Sequence, residues 1–162
     1  MLDRLIGSVR RNHALEHATI SILMGRLDPG THLVGRATSS GFYIYGNVPI
    51  RDIEESAEQG LARLQAGESV LAVSPLCGTN LAVAGVMAGL ASTVSAGNRG
   101  RWERLPTVLL ASLLAVVAAQ PLGRWVQKYL TTSPDLEDTR IVEVRGGDRS
   151  RGNYYKIQTA RR

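Results

Sequence analysis

Two long stretches of this 162-residue chain carry no charged residue, Ser69 to Asn98 and Leu105 to Gly123. A helix needs roughly 20 apolar residues to cross about 30 Å of hydrocarbon, and each stretch supplies about that many. A soluble domain of this size has little interior in which to hide both. The reading is therefore a transmembrane hairpin, set against a buried helical pair in a soluble protein. Its first span, about Gly78 to Gly97, is moderately apolar and rich in small residues, with Gly85 and Gly89 in Gly-x-x-x-Gly spacing. That spacing lets helix backbones approach closely and predicts a homo-oligomer contact. The second span, about Pro106 to Val126, contains Leu109-Leu110-Ala111-Ser112-Leu113-Leu114-Ala115-Val116-Val117, with Trp102 before it and Trp125 near its end as interfacial anchors. A short polar turn from Asn98 to Arg104 joins the two.

The flanking residues alternate in a different rhythm. Residues 2–27 read as an amphipathic helix ended by Asp28-Pro29-Gly30. His32 to Thr38 and Phe42 to Val48 read as a β-hairpin, with Phe42-Tyr43-Ile44-Tyr45 the most β-prone run of the chain. A second amphipathic helix covers about Arg51 to Gln65 and stops at Ala66-Gly67. Beyond the spans, Arg140 to Arg145 and Asn153 to Ala160 read as two more strands. An even number of spans returns the chain to its starting side, so these strands can join the first hairpin in one small sheet. The expected fold is an α+β membrane protein with three parts. Residues 1–77 form an N-terminal α/β domain, 78–130 the transmembrane hairpin, and 131–162 a C-terminal β-hairpin that completes the soluble domain.

The first helix carries the chemistry. At about 100° per residue, Leu2, Leu5, Ile6, Val9, Ile20, Leu23, Met24 and Leu27 fall on one side, and so do His13, Glu16 and His17. Polar groups on an apolar face cost roughly 2–7 kcal/mol each when left unpaired, so something must satisfy these three. A metal ion would. Histidines at i and i+4 stack one turn apart and can reach one Zn²⁺ at about 2.0–2.1 Å. The other reading is a buried His/Glu hydrogen-bond cluster that holds the helix to a neighbour. The order His-x-x-Glu-His resembles the inverted-zincin motif of pitrilysin and insulysin metallopeptidases. That resemblance implies zinc on His13 and His17, with Glu16 as general base. Such enzymes complete the site with a glutamate on a later helix, which here implies Glu54 or Glu58; an ordinary solvated acidic face is the alternative. Cys77, in Cys77-Gly78-Thr79-Asn80, is either part of a helix start or a thiolate ligand or nucleophile. His32, beside a turn, is expected in solvent.

The formal charge of +5 comes with dispersed basic residues in the tail, which suits anionic lipid headgroups better than nucleic acid. No nucleic-acid partner is expected. A single cysteine suits a reducing compartment. No cleaved leader is apparent ahead of the first helix, and both termini are expected in the cytoplasm of an inner or plasma membrane. The arginines of the turn, Arg99, Arg101 and Arg104, argue the opposite orientation, and Arg124 and Lys128 answer them on the other flank.

Arg11-Asn12-His13-Ala14-Leu15-Glu16-His17-Ala18-Thr19, Gly41-Phe42-Tyr43-Ile44-Tyr45-Gly46-Asn47-Val48 and Cys77-Gly78-Thr79-Asn80 ahead of a membrane hairpin together resemble a family of small bacterial membrane proteins labelled only as a domain of unknown function. The likeness spans most of residues 1–145 and implies no activity. Two functions follow from the residues. One is a membrane-anchored, zinc-dependent peptidase acting on a peptide or protein. The other is a non-catalytic membrane subunit or assembly factor whose His/Glu cluster, or structural metal, holds the fold.

Overall fold

A computed structural model describes residues 2–95, 101–147 and 153–161. It is α+β, with four helices and one four-stranded antiparallel sheet. The chain forms two compact units, residues 1–74 with 128–162 and residues 75–127.

The first unit contains α1 (Leu2–Met24), β1 (Val34–Thr38), β2 (Gly41–Tyr45), α2 (Ile50–Gln65), a 3₁₀ turn at Ser69–Ala72, β3 (Thr139–Gly146) and β4 (Tyr154–Arg161). The sheet order is β1-β2-β4-β3, all neighbours antiparallel. Period-two alternation in β2 sends Phe42 and Ile44 inward, and both are fully buried with Ile157 of β4. Burying a side chain such as Phe42 contributes about 1.5–3 kcal/mol. The core is closed by Ala14, Leu15, Ala18 and Leu23 of α1, Ile53, Ala57 and Leu64 of α2, and Leu136. Helix α1 packs on β1, β2 and α2, and α2 also packs on β3. The two helices meet at Gly60, where an added Cβ would come within 3.2 Å of the Ala18 Cβ and 3.3 Å of the Thr19 amide nitrogen.

The expected elements are present with small shifts of boundary, but the first turns of α1 are placed differently. Leu2, Leu5, Ile6 and Val9, read above as part of one stripe with the core residues, are 70, 47, 49 and 37 % exposed. Burial starts near Asn12. There the Asn12 amide donates to the Thr38 carbonyl (2.8 Å) and accepts from the Thr159 hydroxyl (2.7 Å). Those bonds tie α1 to the ends of β1 and β4, and the apolar side chains of the earlier turns are left exposed. Strand β3 also carries a register shift between Ile141 and Glu143, which leaves Val142 exposed.

The second unit is the helical pair α3 (Gly78–Ser95) and α4 (Arg101–Val126). Its bonds include Ser92 to Ser112 (2.8 Å) and the buried Gln127 side-chain amide donating to Asn80 Oδ1 (2.8 Å). Leu81, Val86, Leu90 and Val94 of α3, and Leu109, Leu110, Leu113, Leu114 and Val117 of α4, are exposed. Nothing lies within 4 Å of where a Cβ on Gly85 or Gly89 would stand. Two helices, Gly78–Ser95 and Glu103–Thr131, are long and apolar enough to cross a membrane, the second running on through the π-helical turn Gln127–Thr131. Residues 98–100 of the expected turn, 148–152 of the loop before β4 and the side chain of Trp102 lie outside the described residues.

Candidate metal centre

The fourth and fifth turns of α1 place His13, Glu16 and His17 together, one turn apart on the face that looks into the first unit. His17 and Glu16 are buried, and the His13 side chain is 18 % exposed. The imidazole centroids lie 4.3 Å apart with the rings tilted by 58°. Each ring is held from behind by a backbone carbonyl. His13 Nδ1 lies 3.0 Å from the Thr131 oxygen, and His17 Nδ1 lies 2.8 Å from the Ala72 oxygen. A carbonyl can only accept, so both Nδ1 atoms are the donors. In the neutral ring the lone pair then sits on Nε2. Metal-binding histidines are oriented in this way, through the ring nitrogen that does not bind.

Glu16 sits beside this pair, its Oε2 at 3.8 Å from His13 Nε2. That is beyond hydrogen-bond length and within electrostatic reach. The carboxylate lies over Gly35 of β1, where any Cβ would collide with Glu16 Oε1. Glycine at 35 is thus what admits the acid to this position. A glycine inside a strand pattern is a sequence signal of close approach, although the partner could not be read from it. The carbonyls of Ala72 and Thr131 lie 55 and 118 residues from their histidines, and backbone atoms leave no trace in a sequence pattern.

Arg10 adds a further tie that sequence reasoning missed. Its guanidinium donates to the carbonyls of Tyr129 (2.9 Å) and Thr132 (3.0 Å), and the Ser133 amide donates to the Arg10 carbonyl (3.1 Å). The segment that presents Thr131 to His13 is therefore anchored on both sides. Among the described residues, Thr131 Oγ1 is a buried side-chain atom without a hydrogen-bond partner.

The other candidates separate. Glu54 and Glu58 are exposed on α2, and His32 is exposed ahead of β1. Among the described residues, His13 and His17 offer two imidazole nitrogens to a metal ion within the first unit, while Cys77 belongs to the second unit, and nothing identifies the ion.

Comparison with known proteins supports an uncharacterised family and shows no likeness to metallopeptidases. The profile of the family described as "Domain of unknown function (DUF6391)" matches residues 8–144, a span that includes His13, Glu16, His17 and Cys77. An uncharacterized protein of Picosynechococcus sp. is 31 % identical over 159 residues, covering 90 % of this chain and 75 % of its own length. No solved structure matches. With a profile covering most of its length and a relative at this identity, the chain belongs to the DUF6391 family.

Proposed function

We propose that this protein is a membrane-anchored, zinc-dependent hydrolase of peptidase type. The observation that carries the reading is the pair of Nδ1–H to carbonyl bonds, which orients two imidazoles 4.3 Å apart with Nε2 as the ligand atom on each. Burial alone would favour replacing such polar groups with apolar ones; a shared cation accounts for both rings and for the acid beside them.

In this reading His13 and His17 are the two ligands that α1 supplies, each ring fixed by its carbonyl partner within the first unit. Glu54 and Glu58, exposed on α2, are less suited to a buried site. Zinc when bound would act as a Lewis acid and lower the pKa of a coordinated water to about 7. Glu16 does the proton work: its carboxylate takes the proton from the attacking water and delivers it to the leaving amine. Gly35 keeps that carboxylate in place, and the Thr131 and Ala72 carbonyls stop the rings from turning. The exposed apolar residues of Gly78–Ser95 and Glu103–Thr131 support reading these helices as membrane spans, with both chain ends in the cytoplasm.

The second reading, a scaffold with a structural cluster or metal, is favoured by the same carbonyl bonds, since they staple α1 to segments far away in the chain. Metal analysis of detergent-purified protein separates the possibilities. About one zinc per chain is expected, lost in His13→Ala/His17→Ala but kept in Glu54→Gln and Glu58→Gln. A metal-free wild type after growth and purification with zinc, with stability unmoved by chelator, would overturn the metal reading.

A further inference from the structure

The exposed turns of α1 offer a second surface. Leu2, Leu5, Ile6 and Val9 stand at i, i+3, i+4 and i+7, the spacing of one helix face, and all four are exposed in a fold that buries the later turns. At about 100° per residue they share an arc of roughly 120° with His13, Glu16 and His17. The opposite side is polar. There Arg4, Gly7, Ser8 and Arg11 line an open groove of about 480 Å³ with Asp3 and Arg161, and Arg11 folds back over Gly7 toward the Ser8 hydroxyl. This is the division of an interfacial helix, apolar on one side and charged on the other.

On that same face His13 takes the Thr131 carbonyl, and Thr131 is the last residue of the apolar helix Glu103–Thr131. Next to it, Arg10 holds the carbonyls of Tyr129 and Thr132, while the side chains of Tyr129 and Leu130 are exposed, 51 and 58 %. Within the first unit, α1 is thus bonded to the residues that end that apolar helix.

We propose that residues 2–9 of α1 rest in the bilayer surface, with Leu2, Leu5, Ile6 and Val9 in the boundary between headgroups and acyl chains and the arginine groove turned to water. This rests on reading the two apolar helices as membrane spans, and it deepens the functional reading. The histidines and Glu16 follow on the same arc of the helix with His13 partly exposed, so a substrate approaching along the bilayer surface would meet His13 first. The matching class is a juxtamembrane or partly extracted membrane polypeptide.

Photo-crosslinking in phosphatidylcholine nanodiscs tests it on the full chain, with no change at Cys77. A benzophenone amino acid is placed singly at Ile6, Arg4 or Leu113, and adducts are identified by mass spectrometry. Phospholipid adducts are expected at Ile6 in yield comparable to Leu113, and far fewer at Arg4. Adducts at Leu113 with none at Ile6 would overturn the inference and leave the spans standing. No lipid adduct at Leu113 would remove the spans, and the inference with them. A protein–protein adduct from Ile6 would make a second copy the occupant and overturn the lipid assignment.

Discussion

Glu16 separates catalyst from scaffold because its work differs in the two. As a general base it acts in the transition state and binds no metal, so Glu16→Gln is expected to keep zinc and melting temperature. Hydrolysis of casein or a mixed peptide library is expected to fall by about 10²- to 10⁴-fold. In a scaffold the same change removes a buried charge-assisted interaction worth about 1.5–3 kcal/mol, and the melting temperature drops instead. Gly35 gives an independent check. Gly35→Ala puts a methyl group where Glu16 Oε1 now lies, so the carboxylate must move. A loss of about 1–3 kcal/mol from overpacking and up to about 10²-fold in rate from misplacement are expected, against no effect for Gly85→Ala, where the space is open. At this scale the histidines and the acid were legible from spacing. Their carbonyl partners were not, because these bonds engage backbone atoms brought into reach only by the completed fold.

Among the elements, the strands and the second helix were readable from alternation and turn residues, and the structure moves their ends by one to three residues. The first helix shows where pattern runs out. A hydrophobic face tells which side of α1 avoids water but not what covers it, so Leu2 to Val9 and Leu15 to Leu23 look alike in sequence and end in different surroundings. In the helical pair, the buried Gln127–Asn80 bond is a polar contact between α3 and the end of α4. Gln127→Leu is expected to weaken the hairpin by about 1 kcal/mol, read by denaturation in mixed micelles. Adding Asn80→Leu should cost less than a second full penalty, since both partners of one bond are then gone.

For the whole molecule the sheet constrains topology more firmly than the charges do. β2 pairs with β4 from Gly41↔Gln158 to Tyr45↔Tyr154, so the segments before α3 and after α4 occupy the same side of any membrane those helices cross. Reporters fused to either terminus should share one compartment, the cytoplasm in our reading, and one inserted near Gly100 should lie in the other. Labelling of a cysteine introduced at Gly100 only after the membrane is broken would reverse the orientation without disturbing the pairing. The same logic was accessible from the sequence as an even count of spans. The strand order β1-β2-β4-β3 was not, because four short strands can be ordered in several ways and only packing selects one.

That pairing also dictates the order of biogenesis. While the ribosome is still making the two apolar helices, β2 has a partner on one side only, and its other edge offers Phe42 to Tyr45 to any strand nearby. The edge closes only after Tyr154–Arg161 emerges, with both apolar helices already made, so the sheet is completed last. A chain stalled or truncated between α4 and β4 would carry an open sheet edge, a ready substrate for quality-control proteases and chaperones. Its half-life, compared with that of the full chain, measures how much of the protein's survival depends on its last strand.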